Sequence, residues 1–141
     1  MKIIFFFFCL SFSMRVSAQL IERHQWKDRL VLIISNKKNS EEYSRQLGEL
    51  TINAEGLDER KLMVYQILPD RHKILQDQDW MMSNDLYKRY AFNDKDFKVI
   101  LIGLDGSIKV SQDTLLTAKE LFATIDQMPM RRATMRRKSK G

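Results

Sequence analysis

Few residues of this chain could do covalent chemistry, and its one thiol stands where it cannot serve a folded domain. Cys9 is the sole cysteine. It lies in Met1–Ala18, which joins Lys2, the apolar run Ile3–Leu10 and the small-residue site Val16-Ser17-Ala18, the three parts of a secretory signal. The apolar run is too short to span a bilayer, which takes about 20 residues. Phe7 and Phe8 stand where a lipoprotein signal needs small residues, so no lipid anchor at Cys9 is expected. Cleavage after Ala18 takes 18 residues from 141 and leaves 123. That product can form no disulfide, no thiol redox couple and no thiolate metal site.

Other side chains offer non-thiol chemistry. Ser35 and Ser40 are candidate hydroxyl nucleophiles with His72 as base. A strand-end serine and a helix cap explain them more simply, because nothing resembles a nucleophile elbow and no acid is placed to orient the imidazole. His24 and His72, with Glu22, Asp70, Asp77 and Asp79, are candidate ligands for a divalent metal, but no two show a helix-face pairing. They read as exposed loop residues. Asp77 and Asp79 also lack the glycine and terminal glutamate of a calcium loop. No catalytic residue, metal ligand or cofactor site is therefore assigned.

Binding is the more open question. Ser35, Asn36, Lys37 and Lys38 form a cleft candidate at which helix-end amides and two ammonium groups could hold an anion, with a solvated turn as the simpler reading. Trp26, Trp80, Met81 and Met82 are bulky apolar residues in the least regular regions. They fit packing against a sheet edge, or else a surface groove for a peptide or protein. Arg131, Arg132, Arg136, Arg137, Lys138 and Lys140 give the C-terminal stretch six cations and no anion. Such a stretch is expected to be a disordered tail, suited to an anionic surface, although Arg131 and Arg132 also suit the C-terminal dipole of a preceding helix. Removing these six and the leader's Lys2 and Arg15 leaves 16 basic and 18 acidic residues, so the domain between is near neutral.

The elements that would position these residues follow from apolar spacing. Leu30–Ser35 is a continuous apolar run suited to a strand covered on both faces. Asn39 or Ser40 caps a helix with Glu41 and Glu42 in its first turn; Tyr43, Leu47, Leu50, Ala54 and Leu57 form its apolar face, and Gly56 ends it. Arg60–Leu68 is a second strand ended by Pro69-Asp70. A helix within Asp79–Tyr90 presents Met82, Leu86 and Tyr90, with Ser83 or Asn84 as an alternative start. Phe97–Leu104 and Ser107–Val110 form a hairpin about Asp105-Gly106. Thr117 and Glu120 make a capping box, and Pro129 stops the last helix. A parallel βαβ half joined to a hairpin and a closing helix is the thioredoxin-like arrangement, an α/β fold with about four strands in a central mixed sheet.

The segments WKDRLVLIIS, FKVILIGLDGSIKVS and LFATIDQMPMRR together resemble the P-DUDES group, a bacterial secreted domain of unknown function. That group is similar to repeat domains of vertebrate extracellular proteins, including Equarin and sushi-repeat proteins. The resemblance runs from about Gln25 to Met135 and implies a thioredoxin-like fold distantly similar to peroxiredoxins, with no catalytic residues to carry over. Enzymes of that fold place a reactive cysteine after the first central strand and commonly a cis proline before the third. Here those places hold Ser35-Asn36-Lys37-Lys38-Asn39-Ser40 and Asp94-Lys95-Asp96.

The expected organisation is thus a signal over residues 1–18, a thioredoxin-like domain over 19–130 and a basic tail over 131–141. The expected role is an exported, periplasmic or secreted interaction or structural module without thiol redox activity. Its partner would be an unidentified protein or peptide, with no specific nucleic acid and no membrane span after cleavage. Two alternatives stand beside it: a non-redox enzyme using the same cleft, and a binder of polyanions or membrane surfaces through the tail.

Overall fold

The computed structural model describes residues 19–91 and 95–141. The expected signal and Asp94 lie outside the described residues. The chain runs α1 (Gln19–Glu22), β1 (Arg29–Ser35), α2 (Glu41–Thr51), α3 (Ala54–Glu59), β2 (Leu62–Leu68), β3 (Arg71–Ile74), β4 (Met81–Met82), α4 (Asp85–Tyr90), β5 (Phe97–Ile102), β6 (Ile108–Gln112), α5 (Ala118–Asp126) and α6 (Pro129–Ser139).

The strands form one mixed sheet in the order β4-β3-β2-β1-β5-β6. β1 runs parallel to β2, with Val31 opposite Val64, and antiparallel to β5, with Val31 opposite Leu101. The remaining pairs are antiparallel. Among the described residues six strands rather than about four make the sheet. The two unforeseen ones are short: Pro69-Asp70 is the two-residue turn of a hairpin, so the chain doubles back as β3 instead of leaving the sheet. Met81–Met82 then adds β4 in place of the first part of the Asp79–Tyr90 helix, which takes the alternative start: Asn84 is the N-cap and α4 begins at Asp85.

All seven residues of β1 are buried: the six of the expected run Leu30–Ser35, and Arg29, which that run does not include. Val31 and Ile33 face α2, α3 and α5 with Tyr43, Leu50, Leu57, Leu121 and Ile125. Leu30, Leu32 and Ile34 face α1 and α4 with Ile21, Leu86 and Tyr90. Alternation along the strand thus divides one run of sequence between two cores. Ser40 caps α2, its hydroxyl accepting from the Tyr43 N–H at 3.3 Å. The Thr117–Glu120 capping box closes at the start of α5. The buried Gln46 amide clips α2 to the chain entering α5, donating to Leu116 O and accepting from Leu116 N–H, both at 2.8 Å.

The first long helix is two, broken at Ile52-Asn53, and Gly56 lies inside α3 rather than ending a helix. Its role is steric. A Cβ at Gly56 would lie 2.5 Å from Cε2 of Phe122, whose ring lies under the Arg60 guanidinium at 4.1 Å. Gly56→Ala should overpack this contact and cost about 1–3 kcal/mol in denaturant unfolding, although alanine is the better helix former. Adding Phe122→Leu should restore part of that loss.

Candidate functional site

The C-terminal end of β1 is closed by its own hydrogen bonds. The Ser35 hydroxyl donates to Lys37 O at 2.7 Å and accepts from Lys37 N–H at 3.1 Å. Asn36 donates its N–H to Asp96 O at 3.0 Å and its side-chain amide to the Asp96 carboxylate. Lys37 and Lys38 are exposed. The neighbouring cleft, about 380 Å³, is walled by Glu41, Glu42, Asp96 and Asp113 as well as Lys37 and Lys95. Carboxylates therefore outnumber ammonium groups around it. Ser35 shares the sheet face of Val31 and Ile33, whereas His72 pairs with Ile67 on the other face. A Ser35–His72 couple is ruled out by the sheet itself.

His24 and His72 are buried, not exposed loop residues, at 7% and 5% exposure. His24 Nδ1 meets Asp28 Oδ2 and its Nε2 meets the Tyr65 hydroxyl, each at 2.7 Å. This carboxylate–imidazole–phenol chain has the order of a proton relay, but Tyr65 is 1% exposed and burial raises its pKa. The adjoining cavity, about 110 Å³, does not include Tyr65 in its wall. The chain ties the 23–28 loop to β2. Burial also lowers the pKa of His72, which favours the neutral ring. Among the described residues no group of three His, Cys, Asp or Glu side chains could hold a metal ion.

The basic stretch is not a disordered tail. Pro129, at the first position of α6, ends α5 and starts the next helix, where its missing N–H costs nothing. Arg131 is 2% exposed. Its Nε donates to Asp126 at 3.0 Å and its terminal nitrogens to the Glu59 carboxylate at 2.7 Å and Glu59 O at 3.2 Å. Arg60 forks onto the same Asp126 at 3.0 and 2.8 Å. Burial works against the Arg131 charge, yet the bonds to Glu59 and Asp126 leave its pKa raised. Arg131 is thus part of the domain, while Arg132, Arg136, Arg137, Lys138 and Lys140 face solvent.

The docked α6 builds a groove at the N-terminal end of β1. Trp26 is 62% exposed with φ +65°, and its N–H is held by Leu104 O at 2.7 Å. A bulky residue in this left-handed region is an outlier. Two clefts, about 320 and 300 Å³, meet along Trp26, Arg29, Leu104 and Met130. Lys61, φ +51°, lines the second, so both non-glycine positive-φ residues found among the described residues flank it. Arg29 is 4% exposed; it donates to Arg60 O at 2.9 Å, and its Nε has no hydrogen-bond partner. Burial and the nearby Arg131 charge lower its pKa, partly offset by Asp126. Trp80, by contrast, is half-buried at the sheet edge, with Lys38, Arg71 and Lys73 about its ring. Met81 and Met82 are exposed. Sequence reasoning raised Trp26 as a groove residue but missed Arg29. The signal was there, as Arg29 is the one charge in the otherwise apolar β1.

A family model described as a domain of unknown function, DUF4174, matches residues 20–134, and the chain belongs to that family. The matched span takes in Trp26, Arg29, Met130 and Arg131 of the groove but not Arg137. No curated protein matches the chain.

Two substitutions separate fold from surface. Arg131→Ala removes charged hydrogen bonds from a buried guanidinium and should cost about 2–3 kcal/mol in denaturant unfolding, whereas Arg136→Ala should stay within about 0.5 kcal/mol. Trp26→Gly should leave the melting midpoint unchanged or raised, since glycine relieves the left-handed backbone and little apolar contact is lost. Acid should act on the same cluster. The Arg60 and Arg131 bonds hold the Asp126 pKa low against its burial, and the Arg131 bond does the same for Glu59. Groups depressed in the fold stabilise it above their unfolded pKa values and lose that stabilisation as pH falls through the folded ones. Unfolding followed as pH falls from the ordinary carboxylate range, about pH 4, through the depressed folded-state values should show a loss of stability that is smaller in Asp126→Asn.

Proposed function

We propose that this DUF4174 member is an exported, thioredoxin-like binding module without thiol redox activity, engaging a protein or peptide partner through the Trp26 groove. The observation that carries the reading is Trp26 itself: a large indole held exposed, on an unfavourable backbone, over an apolar cleft. Such a residue adds little to the core, and exposed aromatics above a pocket are the anchors of protein interfaces.

Supporting the thioredoxin-like reading, β2-β1-β5-β6 follows the order and directions of that fold's central sheet, with α2, α3 and α5 on one face and α4 on the other. The resemblance to P-DUDES and Equarin-type domains points the same way. Export rests on the signal-like pattern of Met1–Ala18, and with it a periplasmic or secreted location. Loss of thiol chemistry rests on Cys9 lying within that pattern. A second role is favoured by α6, whose exposed Arg136, Arg137, Lys138 and Lys140 suit an anionic surface.

A photo-crosslinking side chain at position 130 should trap a discrete protein adduct in cells. The same group at position 52, which is 80% exposed on the helix side, should not. Equal labelling from both positions would remove the groove reading. The purified exported protein should begin at Gln19 and show no insulin reduction with dithiothreitol; turnover above the buffer blank would refute the redox part.

A further inference from the structure

Beside the groove two guanidinium groups share two carboxylates, and a third guanidinium, Arg29, has neither at salt-bridge distance. Arg60 and Arg131 both bind Asp126, and Arg131 also takes Glu59. Arg29 is left with a backbone carbonyl and an unpartnered Nε, although it is more than nine-tenths buried and lines both clefts. Lys61 and Arg137 line the second cleft, and among the described residues neither has a carboxylate at salt-bridge distance. Asp126 offsets only part of the burial of Arg29, and among the described residues no carboxylate lies at salt-bridge distance from it, so a ligand anion would supply the missing partner. Trp26, Leu104, Met128 and Met130 make the apolar part of the lining, with Asp105 and Lys109 beside them and Glu59 in the second cleft, so cations still outnumber carboxylates around the groove.

We propose that the groove binds an acidic peptide segment of a partner protein. An apolar side chain packs against Trp26 and Met130, a neighbouring carboxylate forks onto Arg29, and a second carboxylate meets Lys61 and Arg137. This rests on the binding-module reading and names the chemistry of its partner. The alternation of apolar and cationic wall matches apolar and acidic side chains one residue apart. Arg29 is recessed, so a single projecting carboxylate reaches it better than the flat plane of a lipid surface does.

The chain has two tryptophans, so Trp80→Phe makes Trp26 the one tryptophan emitter, read with excitation beyond the tyrosine band. Three blocked peptides, Asp-Phe-Asp, Asn-Phe-Asn and Asp-Ala-Asp, are titrated against this protein. Asp-Phe-Asp should change Trp26 emission saturably, with the other two at least about tenfold weaker. Its advantage over Asn-Phe-Asn should shrink as salt rises. Met130→Glu and Arg137→Glu, both at exposed positions, should weaken it by a similar factor even if Arg29→Gln fails to fold. Equal binding of Asp-Phe-Asp and Asn-Phe-Asn would overturn the acidic partner while leaving an apolar-binding module. No response to any peptide, with crosslinks at position 130 retained, would overturn this inference alone; loss of those crosslinks removes the module itself. A response confined to phosphatidylglycerol vesicles would overturn the peptide in favour of a lipid surface.

Discussion

Every other element answers to the burial of β1. Its seven residues have no exposed side, and each of the six from Leu30 to Ser35 pairs with β5 while Arg29 to Ile34 pair with β2. A strand with two apolar faces cannot sit in water on either, so helices must cover both. The chain supplies α2, α3 and α5 for one face and α1 and α4 for the other. Fully burying each of these aliphatic side chains contributes about 1.5–3 kcal/mol, more than any cap or surface ion pair in the molecule can offer. The requirement for cover fixes where the helices lie, and the helices fix which strand ends remain open.

The two ends of β1 then diverge in character. At the C-terminal end, Ser35 and Asn36 spend their polar groups on Lys37 and Asp96, and the adjoining wall is rich in carboxylate. At the N-terminal end, Arg29 begins the strand on the face of Val31 and Ile33, with its Nε unpartnered and its charge only partly offset by Asp126. The same alternation that sends Val31 and Ile33 into the core places Arg29 under α6. An arginine there is expensive as packing.

The ion cluster of Glu59, Arg60, Asp126 and Arg131 links α3 and α5 to α6 and turns a basic segment into a wall of the groove. Lone exposed ion pairs contribute little, but here the guanidiniums are nearly or mostly buried and the carboxylates serve more than one donor. Fastening α6 also brings Met130 opposite Trp26. The groove is thus assembled from residues 26, 29, 104 and 130, far apart in sequence.

Much of the fold is decided locally. The unbroken run Leu30–Ser35, the Asp105-Gly106 turn with Gly106 at φ +81°, the Ser40 cap and the Thr117–Glu120 box each carry their own physical signal, and each forms. The sequence by itself also determines that no thiol exists beyond Cys9. Tertiary structure decided the rest. β3 and β4 are too short to show a period and exist because β2 offers an edge. Gly56 is set by the Phe122 ring across a helix interface, which no helical propensity encodes. The six cations after Met130 look unfoldable alone, because the carboxylates that bind Arg131 lie at positions 59 and 126. Charge compensation is a property of neighbours in space, so both the docking of α6 and the unpartnered Nε of Arg29 were settled only when the chain had folded.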